Sequence, residues 1–381
     1  GHVTPLLAVA SKIKRKQPRA QIRYIGEHGK KSLNKLVQDS DEIDSCRSIY
    51  AGKLRRFHGK KLSWYLTQPK IIFWNLRDVF LLTVGFVEAL VYLLLWRPDV
   101  VFAKGGYVSL PVGLAAAFLR IPLVIHDSDT LPGLTNRILS RYATKICVGQ
   151  PLENYPNYPS DKLVYCGVPI SDTFYSQLSS AASKKQLGIT LDSKLIAVIG
   201  GSLGAMRINE AVLSQLDAIM QDGTVCMHWV CGAYHYDQLL HEVQHKTYKH
   251  KIKLDKFTNE LPTILNAADV VISRTGATSL AELAALSKPT ILVPNPLLTG
   301  GHQLSNAKVY AKSNAAVVIQ ELQLKEKPVV LRQAIVQILT DSSLQQNLAA
   351  NISKFAVPHS ADNIADVVLT VRRTQKKKKA Q

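Results

Sequence analysis

The sequence predicts an α/β protein built on two parallel sheets, and three observations carry that reading. Short β-branched runs alternate with longer amphipathic stretches, the rhythm that places helices on both faces of a parallel sheet. The chain is 381 residues long, too long for one sheet at that spacing. A Pro-rich stretch at 150–169, with Pro151, Pro156, Pro159 and Pro169, breaks the rhythm near the middle and is the linker candidate.

Before that break the strand candidates are 21–25, 99–103, 123–126 and 145–148; after it they are 195–200, 227–231, 270–273 and 290–293. Each is an apolar run of strand length, as expected of strands covered on both faces. The run 79–96 is different. It holds 18 residues with Glu88 its only charge, which meets the length criterion for a membrane span. It leads directly into the strand-like Val100-Val101-Phe102, and a spanning helix would part that strand from its sheet. The expected structure is therefore a helix packed on the sheet and partly touching lipid, with a purely buried helix as the first alternative and a true span as the second. Trp64, Tyr65, Phe73 and Trp74, together with Lys53, Arg55, Arg56, Lys60 and Lys61, have the composition of an interfacial patch or of a solvated basic loop beside a core helix.

The formal net charge is +19, and its distribution is uneven. Residues 1–165 hold 24 Lys and Arg against 12 acids, residues 166–371 hold 17 against 16, and residues 372–381 hold six against none. A nearly neutral second half speaks against a nucleic-acid groove running over the whole molecule, whereas the first half calls for an anionic partner. The basic end is expected to be solvated and disordered. Five cysteines without a C-x-x-C pair favour neither a disulfide framework nor a zinc cluster, and so a reducing cytoplasm. The opening Gly1-His2-Val3-Thr4-Pro5 shows no initiator Met and no signal pattern, which reads as a chain whose true start lies upstream.

Three glycine turns each follow a strand candidate: Lys104-Gly105-Gly106-Tyr107, Gly200-Gly201-Ser202-Leu203-Gly204-Ala205, and Arg274-Thr275-Gly276-Ala277. Such a turn entering a helix presents unpaired N–H groups at the positive end of the helix dipole, where a phosphate or pyrophosphate binds. None reads G-x-G-x-x-G or as a P-loop, which disfavours dinucleotide and ATP sites. Glu282 follows Gly276 by six residues, near enough to the phosphate end to accept both hydroxyls of a ribose; alone, it is equally a dipole-favoured glutamate. Gln303 and Asn306, three apart after His302, suit a sugar with several hydroxyls.

These motifs, with Val124-Ile125-His126, Pro132-Gly133-Leu134-Thr135-Asn136-Arg137 and His302-Gln303-x-x-Asn306-Ala307, run in order through nearly the whole chain, and in that combination the sequence resembles the MurG family. That family transfers N-acetylglucosamine from UDP-GlcNAc to lipid I, giving lipid II for peptidoglycan and cell-wall synthesis, and so serves cell shape and division. The resemblance implies a GT-B fold, two Rossmann-like domains with parallel sheets facing a cleft. The implied division is an acceptor and membrane-facing domain at 1–165, lacking the family's first strand and glycine loop, a UDP-sugar domain at 166–352, a returning helix at 353–371 and a basic tail at 372–381.

The resemblance also implies roles for single residues. Glu282 would bind the uridine ribose, and Gly201, Ser202, Leu203, Gly204 and Ala205 the diphosphate, with Gly276 and Ala277 at the second helix N-terminus. Thr258, after Phe257, would meet the uracil through its backbone, and His302, Gln303 and Asn306 would reach the N-acetylglucosamine. Tyr107, His126 and Asn136 would serve the acceptor; His2 and Asp127 compete as the base. No metal or cofactor is implied beyond the donor UDP-GlcNAc. The implied partners are lipid I and an anionic membrane surface at the cytoplasmic face of the bacterial plasma membrane.

The chain departs from the family pattern at two places. His126-Asp127-Ser128-Asp129 stands where the family usually reads His-Glu-Gln-Asn, so a carboxylate is shortened and an amide becomes an acid. Gly167-Val168-Pro169-Ile170-Ser171 lacks the arginine expected near the donor phosphates, for which Arg207 and Arg274 are the candidate substitutes. These departures keep two alternatives open: a related transferase with another lipid acceptor, and a catalytically silent membrane-bound binder of a UDP-sugar.

Overall fold

The structure is a computed structural model that describes residues 3–29, 37–55, 64, 67–176, 179–201, 204–297 and 299–380. The chain forms two units, one of Gly1–Ser171, Leu297–His302 and Val357–Gln381, the other of Asp172–Pro296 and Gln303–Ala356. The Pro-rich stretch 150–169 lies inside the first unit and supplies one of its strands.

In the first unit, α1 (Val3–Lys16) leads to β1 (Arg23–Glu27) and β2 (Ser45–Ile49), followed by the long helix α2 (Pro69–Trp96). Then come β3 (Val101–Ala103), α3 (Ser109–Phe118), β4 (Leu123–Asp127), α4 (Leu134–Leu139), β5 (Lys145–Val148) and β6 (Leu163–Tyr165). All pairings are parallel, but the strands form two sheets: β1 pairs with β2, and β3-β4-β5-β6 run in sequence order. The β1 and β3 edges flank a cavity of about 920 Å³, lined among others by Tyr24, Ile25, Val101, Phe102, Val9 and Leu369. The core gathers Leu123, Ile125, Ile146 and Val148 from the central strands under Ala115 and Ala116 of α3 and Ala89 and Leu93 of α2.

The apolar run of 79–96 is the second half of α2, a helix of 28 residues that begins at Pro69, where a proline needs no helical N–H partner. Its buried positions, Asp78, Gly85, Ala89 and Leu93, recur at helical spacing and form one stripe. Gly85 is required there, since a Cβ would stand 1.8 Å from the Tyr50 carbonyl oxygen. By length and composition α2 is able to cross a membrane, with a mean hydropathy of 2.2 over its most apolar window. Within that stripe Asp78 ties the helix to the segment after β2, its Oδ2 accepting from Arg55 Nη1 at 2.6 Å.

The second unit is a six-stranded parallel sheet in the order β12-β11-β10-β7-β8-β9. Along the chain run α5 (Ser180–Gln186), β7 (Lys194–Ile199), α6 (Met206–Ile219), β8 (Val225–Val230), α7 (Ala233–Gln244) and β9 (Ile252–Asp255). They are followed by α8 (Leu261–Ala267), β10 (Val270–Ser273), α9 (Ala277–Ala285), β11 (Thr290–Leu292), α10 (His302–Lys312) and β12 (Val317–Val318), then α11 (Glu321–Glu326), α12 (Val329–Thr340) and α13 (Ser342–Ser353). The strand order reverses beside β7, so β7 and β10 carry their loops at the point where an open parallel sheet binds ligands.

The C-terminal helix Ser360–Ala380 packs on α1 and β5 through Ile364, Val368 and Val371. The basic end, expected to be disordered, continues this helix through residue 380. Arg372 ties this helix to the segment before β3, its Nε donating to Asp99 Oδ2 at 2.8 Å.

Candidate active site

The first glycine turn leaves β3 with two left-handed residues, Gly105 at φ 84° and Gly106 at φ 86°. Gly105 also lies against a side chain: a Cβ there would stand 2.8 Å from Asn136 Nδ2. Asn136, 3% exposed on α4, donates through Nδ2 to the His126 carbonyl at 3.0 Å, and its Oδ1 has no protein partner. Tyr107 donates its hydroxyl to Glu27, and burial together with that carboxylate raises the phenol's pKa.

His126 and Asp127 end β4 side by side, pointing to opposite faces as the strand period demands. His126 is fully buried, with Nε2 2.9 Å from the Gly167 carbonyl oxygen and Nδ1 3.3 Å from Ser128 Oγ. These contacts orient the strand end. Asp127 lines the cavity and accepts a 2.8 Å hydrogen bond on Oδ2 from Tyr158. Burial pushes its carboxyl up to about 6, against the opposing pull of Tyr158. That value suits a group which must be ionised near neutrality and still take a proton. His2, the competing base, lies outside the described residues.

In the second unit, Gly201 and Gly204 turn the chain from β7 into α6 at φ 79° and 76°. A Cβ on Gly204 would stand 2.5 Å from the Cys231 carbonyl oxygen, so the turn presses directly on the end of β8. Asn209 locks that approach by donating to the same carbonyl at 3.0 Å while accepting from Trp229 Nε1. Ser202 and Leu203 lie outside the described residues; Ala205 is buried as the residue capping α6. Gly276 caps α9 and meets nothing within 4 Å of a built Cβ, leaving the N–H groups above it open.

Glu282 lies on α9 with Ala277, and burial raises its carboxyl to about 8. Thr258 follows β9 beside the exposed Phe257, its Oγ1 accepting from the Glu260 N–H at 3.0 Å. Gln303 and Asn306, read as reaching a sugar, have committed groups. Gln303 Oε1 accepts from the Asn295 N–H at 2.8 Å, and Asn306, 1% exposed, donates to the Thr275 carbonyl at 3.0 Å. Thr275 closes the set by donating to the Gln303 carbonyl at 2.8 Å. Together they hold the Gly276 turn against α10. His302 groups with the first unit, its Nδ1 4.0 Å from Asp129 Oδ2.

Of the two candidate substitutes for the missing arginine, Arg274 is the more committed. Arg274 donates to Glu321 Oε1 at 2.7 Å and to the Val293 carbonyl, while Arg207 pairs with Glu210 one turn along α6. Among the described residues, no group of three or more His, Cys, Asp or Glu is gathered to hold a metal ion.

Lys104 was not singled out from the sequence, since a lysine in a glycine turn reads as solvent-facing. It is 5% exposed, and its ammonium donates to Ser128 Oγ.

Residues 1–148 match the glycosyltransferase family 28 N-terminal domain, and residues 195–364 the glycosyltransferase family 28 C-terminal domain. The chain is 30% identical over 374 residues to a Bacillus subtilis protein named UDP-N-acetylglucosamine–N-acetylmuramyl-(pentapeptide) pyrophosphoryl-undecaprenol N-acetylglucosamine transferase, covering 98% of this chain and 97% of that one. A Bacillus cytotoxicus protein of the same name is 32% identical over 371 residues, with 97% and 95% covered. Among solved structures, Acinetobacter baumannii MurG superposes with a TM-score of 0.73 at 25% identity, over 97% of this chain and 96% of that one.

Proposed function

We infer how the work is divided from one premise: the chain belongs to the MurG family, within glycosyltransferase family 28. It is a UDP-GlcNAc-dependent glycosyltransferase that moves N-acetylglucosamine to lipid I, giving lipid II for peptidoglycan synthesis, with inversion at the anomeric carbon. Its donor is UDP-GlcNAc and its acceptor lipid I.

Within that reaction we assign the donor to the second unit. Glu282, ionised on binding, accepts the ribose hydroxyls. The backbone N–H groups at Gly201–Ala205 and above Gly276 take the diphosphate, where helix N-termini stabilise the charge that grows as UDP departs. Thr258 offers its backbone to the uracil. Gln303 and Asn306 shape the site by fixing the Gly276 turn that carries these N–H groups.

The acceptor falls to the first unit. Asp127 takes the proton of the muramyl C4 hydroxyl as its oxygen attacks the anomeric carbon from the face opposite UDP. The observation that carries this assignment is the buried Asp127 carboxylate at the end of β4, held on one oxygen by Tyr158. Tyr107 follows the Gly105–Gly106 turn, which lies against Asn136, and His126 fixes the strand end from behind.

The exposed face of α2 and the basic excess of the first unit support docking on the anionic cytoplasmic face of the plasma membrane, where the lipid acceptor resides. The deciding experiment follows UDP release from UDP-GlcNAc with a lipid I analogue in Asp127→Asn, His2→Ala and Glu282→Ala. The assignment expects Asp127→Asn to lose turnover with donor affinity intact, and Glu282→Ala to lose donor affinity. Full turnover in Asp127→Asn with none in His2→Ala would transfer the base to His2.

A further inference from the structure

Lys104 lies where a lysine has an easy route to water, yet it is buried. Removing an ammonium from water is costly unless charge and hydrogen bonds compensate it. Ser128 supplies the hydrogen bond, and that hydroxyl stands 3.3 Å from His126 Nδ1, so the cation is tied to the strand end that carries Asp127. The compensating charge comes from two carboxylates, Asp129 first and Asp127 second. Burial brings the ammonium down to about 8, which leaves it charged at neutrality.

Asp129 is also the residue at which this chain replaces the amide of the family pattern with an acid. An extra carboxylate beside Asp127 disfavours the ionised form of Asp127, the form a base requires. The groups acting on Asp127 are otherwise Tyr158, which donates to it, and Asn136 and His302, which also favour its ionised form. Lys104 adds a buried cation bonded to the hydroxyl of Ser128, the residue that separates the two aspartates.

We propose that Lys104 is a positioning residue that balances Asp129, keeping Asp127 an oriented carboxylate at neutral pH. The proposal rests on the reading of Asp127 as the base. Lys104 and Asp129 then form a compensated pair: the acid substitution at 129 is tolerated because the buried cation at 104 accompanies it.

The test titrates the Asp127 carboxyl by ¹³C NMR and, separately, records kcat/KM against pH. Both are done on the full chain and on Lys104→Met, Lys104→Arg, Asp129→Asn and the double variant Lys104→Met with Asp129→Asn. Lys104→Met is expected to raise the Asp127 midpoint by about one pH unit, with a roughly tenfold loss of kcat/KM on the acid limb. Asp129→Asn lowers the midpoint, the double variant returns it to within a few tenths of a unit of the starting value, and Lys104→Arg retains it. An unmoved midpoint in Lys104→Met, or a double variant as shifted as the single one, overturns the proposal. Should Lys104→Met fail to fold, Asp129→Asn decides alone, and an unchanged midpoint there counts against it. NMR shifts as expected in a protein whose Asp127→Asn variant still turns over would remove the base assignment while leaving Lys104 as the counter-charge.

Discussion

The hydroxyl of Tyr158 donates a 2.8 Å hydrogen bond to Oδ2 of Asp127, and it is one of the few contacts that favour the ionised form of a carboxylate burial would otherwise neutralise. Two consequences follow for variants at this pair. In Tyr158→Phe the donor is gone, so the Asp127 midpoint rises above about 6 and the acid limb of the pH–rate profile moves to higher pH. The unfolding free energy falls by about 1 kcal/mol, the usual worth of one such bond.

Asp127→Asn should trade activity for stability. The folded-state pKa of about 6 lies above the ordinary carboxylate value of 3.8, so the native protein favours the protonated form. That contribution is present below about pH 4 and is lost as pH rises through 6. The isosteric amide carries no charge to desolvate and still accepts from Tyr158. It is therefore expected to be more stable than the parent at pH 7.5, by on the order of 2 kcal/mol, and equal to it near pH 4. Thermal unfolding at both pH values checks this; equal stability at pH 7.5 contradicts it.

For Glu282 the sign is worked out on binding. Burial puts its carboxyl at about 8, and the proposed role has two ribose hydroxyls donating to the carboxylate, so donor binding in that role selects the deprotonated form. Below pH 8 the site must release a proton to bind, and UDP affinity should fall by up to tenfold per pH unit. Calorimetry at pH 7 in buffers of different ionisation enthalpy should report release of close to one proton, and none in Glu282→Gln.

Gly204→Ala should damage the donor site through the backbone. The position combines φ 76° with a Cβ placed 2.5 Å from the Cys231 carbonyl oxygen, an atom that cannot swing aside. Left-handed strain alone costs about 1–3 kcal/mol, and the clash adds to it. UDP binding should be lost while the melting of the first unit is unchanged. Retained UDP affinity would mean that the turn relaxes freely.

The central strands were legible in the sequence because they are apolar runs buried on both faces: 123–126 and 270–273 fall on β4 and β10, where Leu123–Asp127 and Val270–Ser273 are buried throughout. The strands not read from it have physical reasons for silence. β2 is Ser-Cys-Arg-Ser-Ile with a single buried residue, and β12 has two residues. The glycine turns were legible because the backbone takes positive φ at Gly105, Gly106, Gly201 and Gly204, which constrains residue type there. Gln303 and Asn306 illustrate the limit: their three-residue spacing suggests a sugar-facing pair, yet each has a polar group committed to a backbone partner, which no spacing reveals. Lys104 was hidden for the same reason, its burial being a property of the packed turn.

The last prediction concerns α2. Phe73, Leu76, Phe80, Val87, Val91 and Leu95 are exposed and recur at helical spacing, opposite the stripe that packs on the core. At the start of the helix, Arg55 and Arg77 stand 5.3 and 4.8 Å from the Trp74 ring, placing cations beside an aromatic as at a lipid interface. Burying one large apolar side chain in lipid contributes roughly 1.5–3 kcal/mol. Phe80→Glu, at a position 66% exposed, and Leu95→Glu, at one 81% exposed, should each lower partition onto anionic vesicles tenfold or more. Neither touches the buried stripe, so thermal stability should change little. Raising the salt to 1 M separates the contributions, since it screens the basic residues and leaves apolar burial intact. Binding that survives high salt in the parent but not in Phe80→Glu assigns α2 as the docking face; vesicle binding indifferent to both substitutions would leave the basic excess as the only attraction.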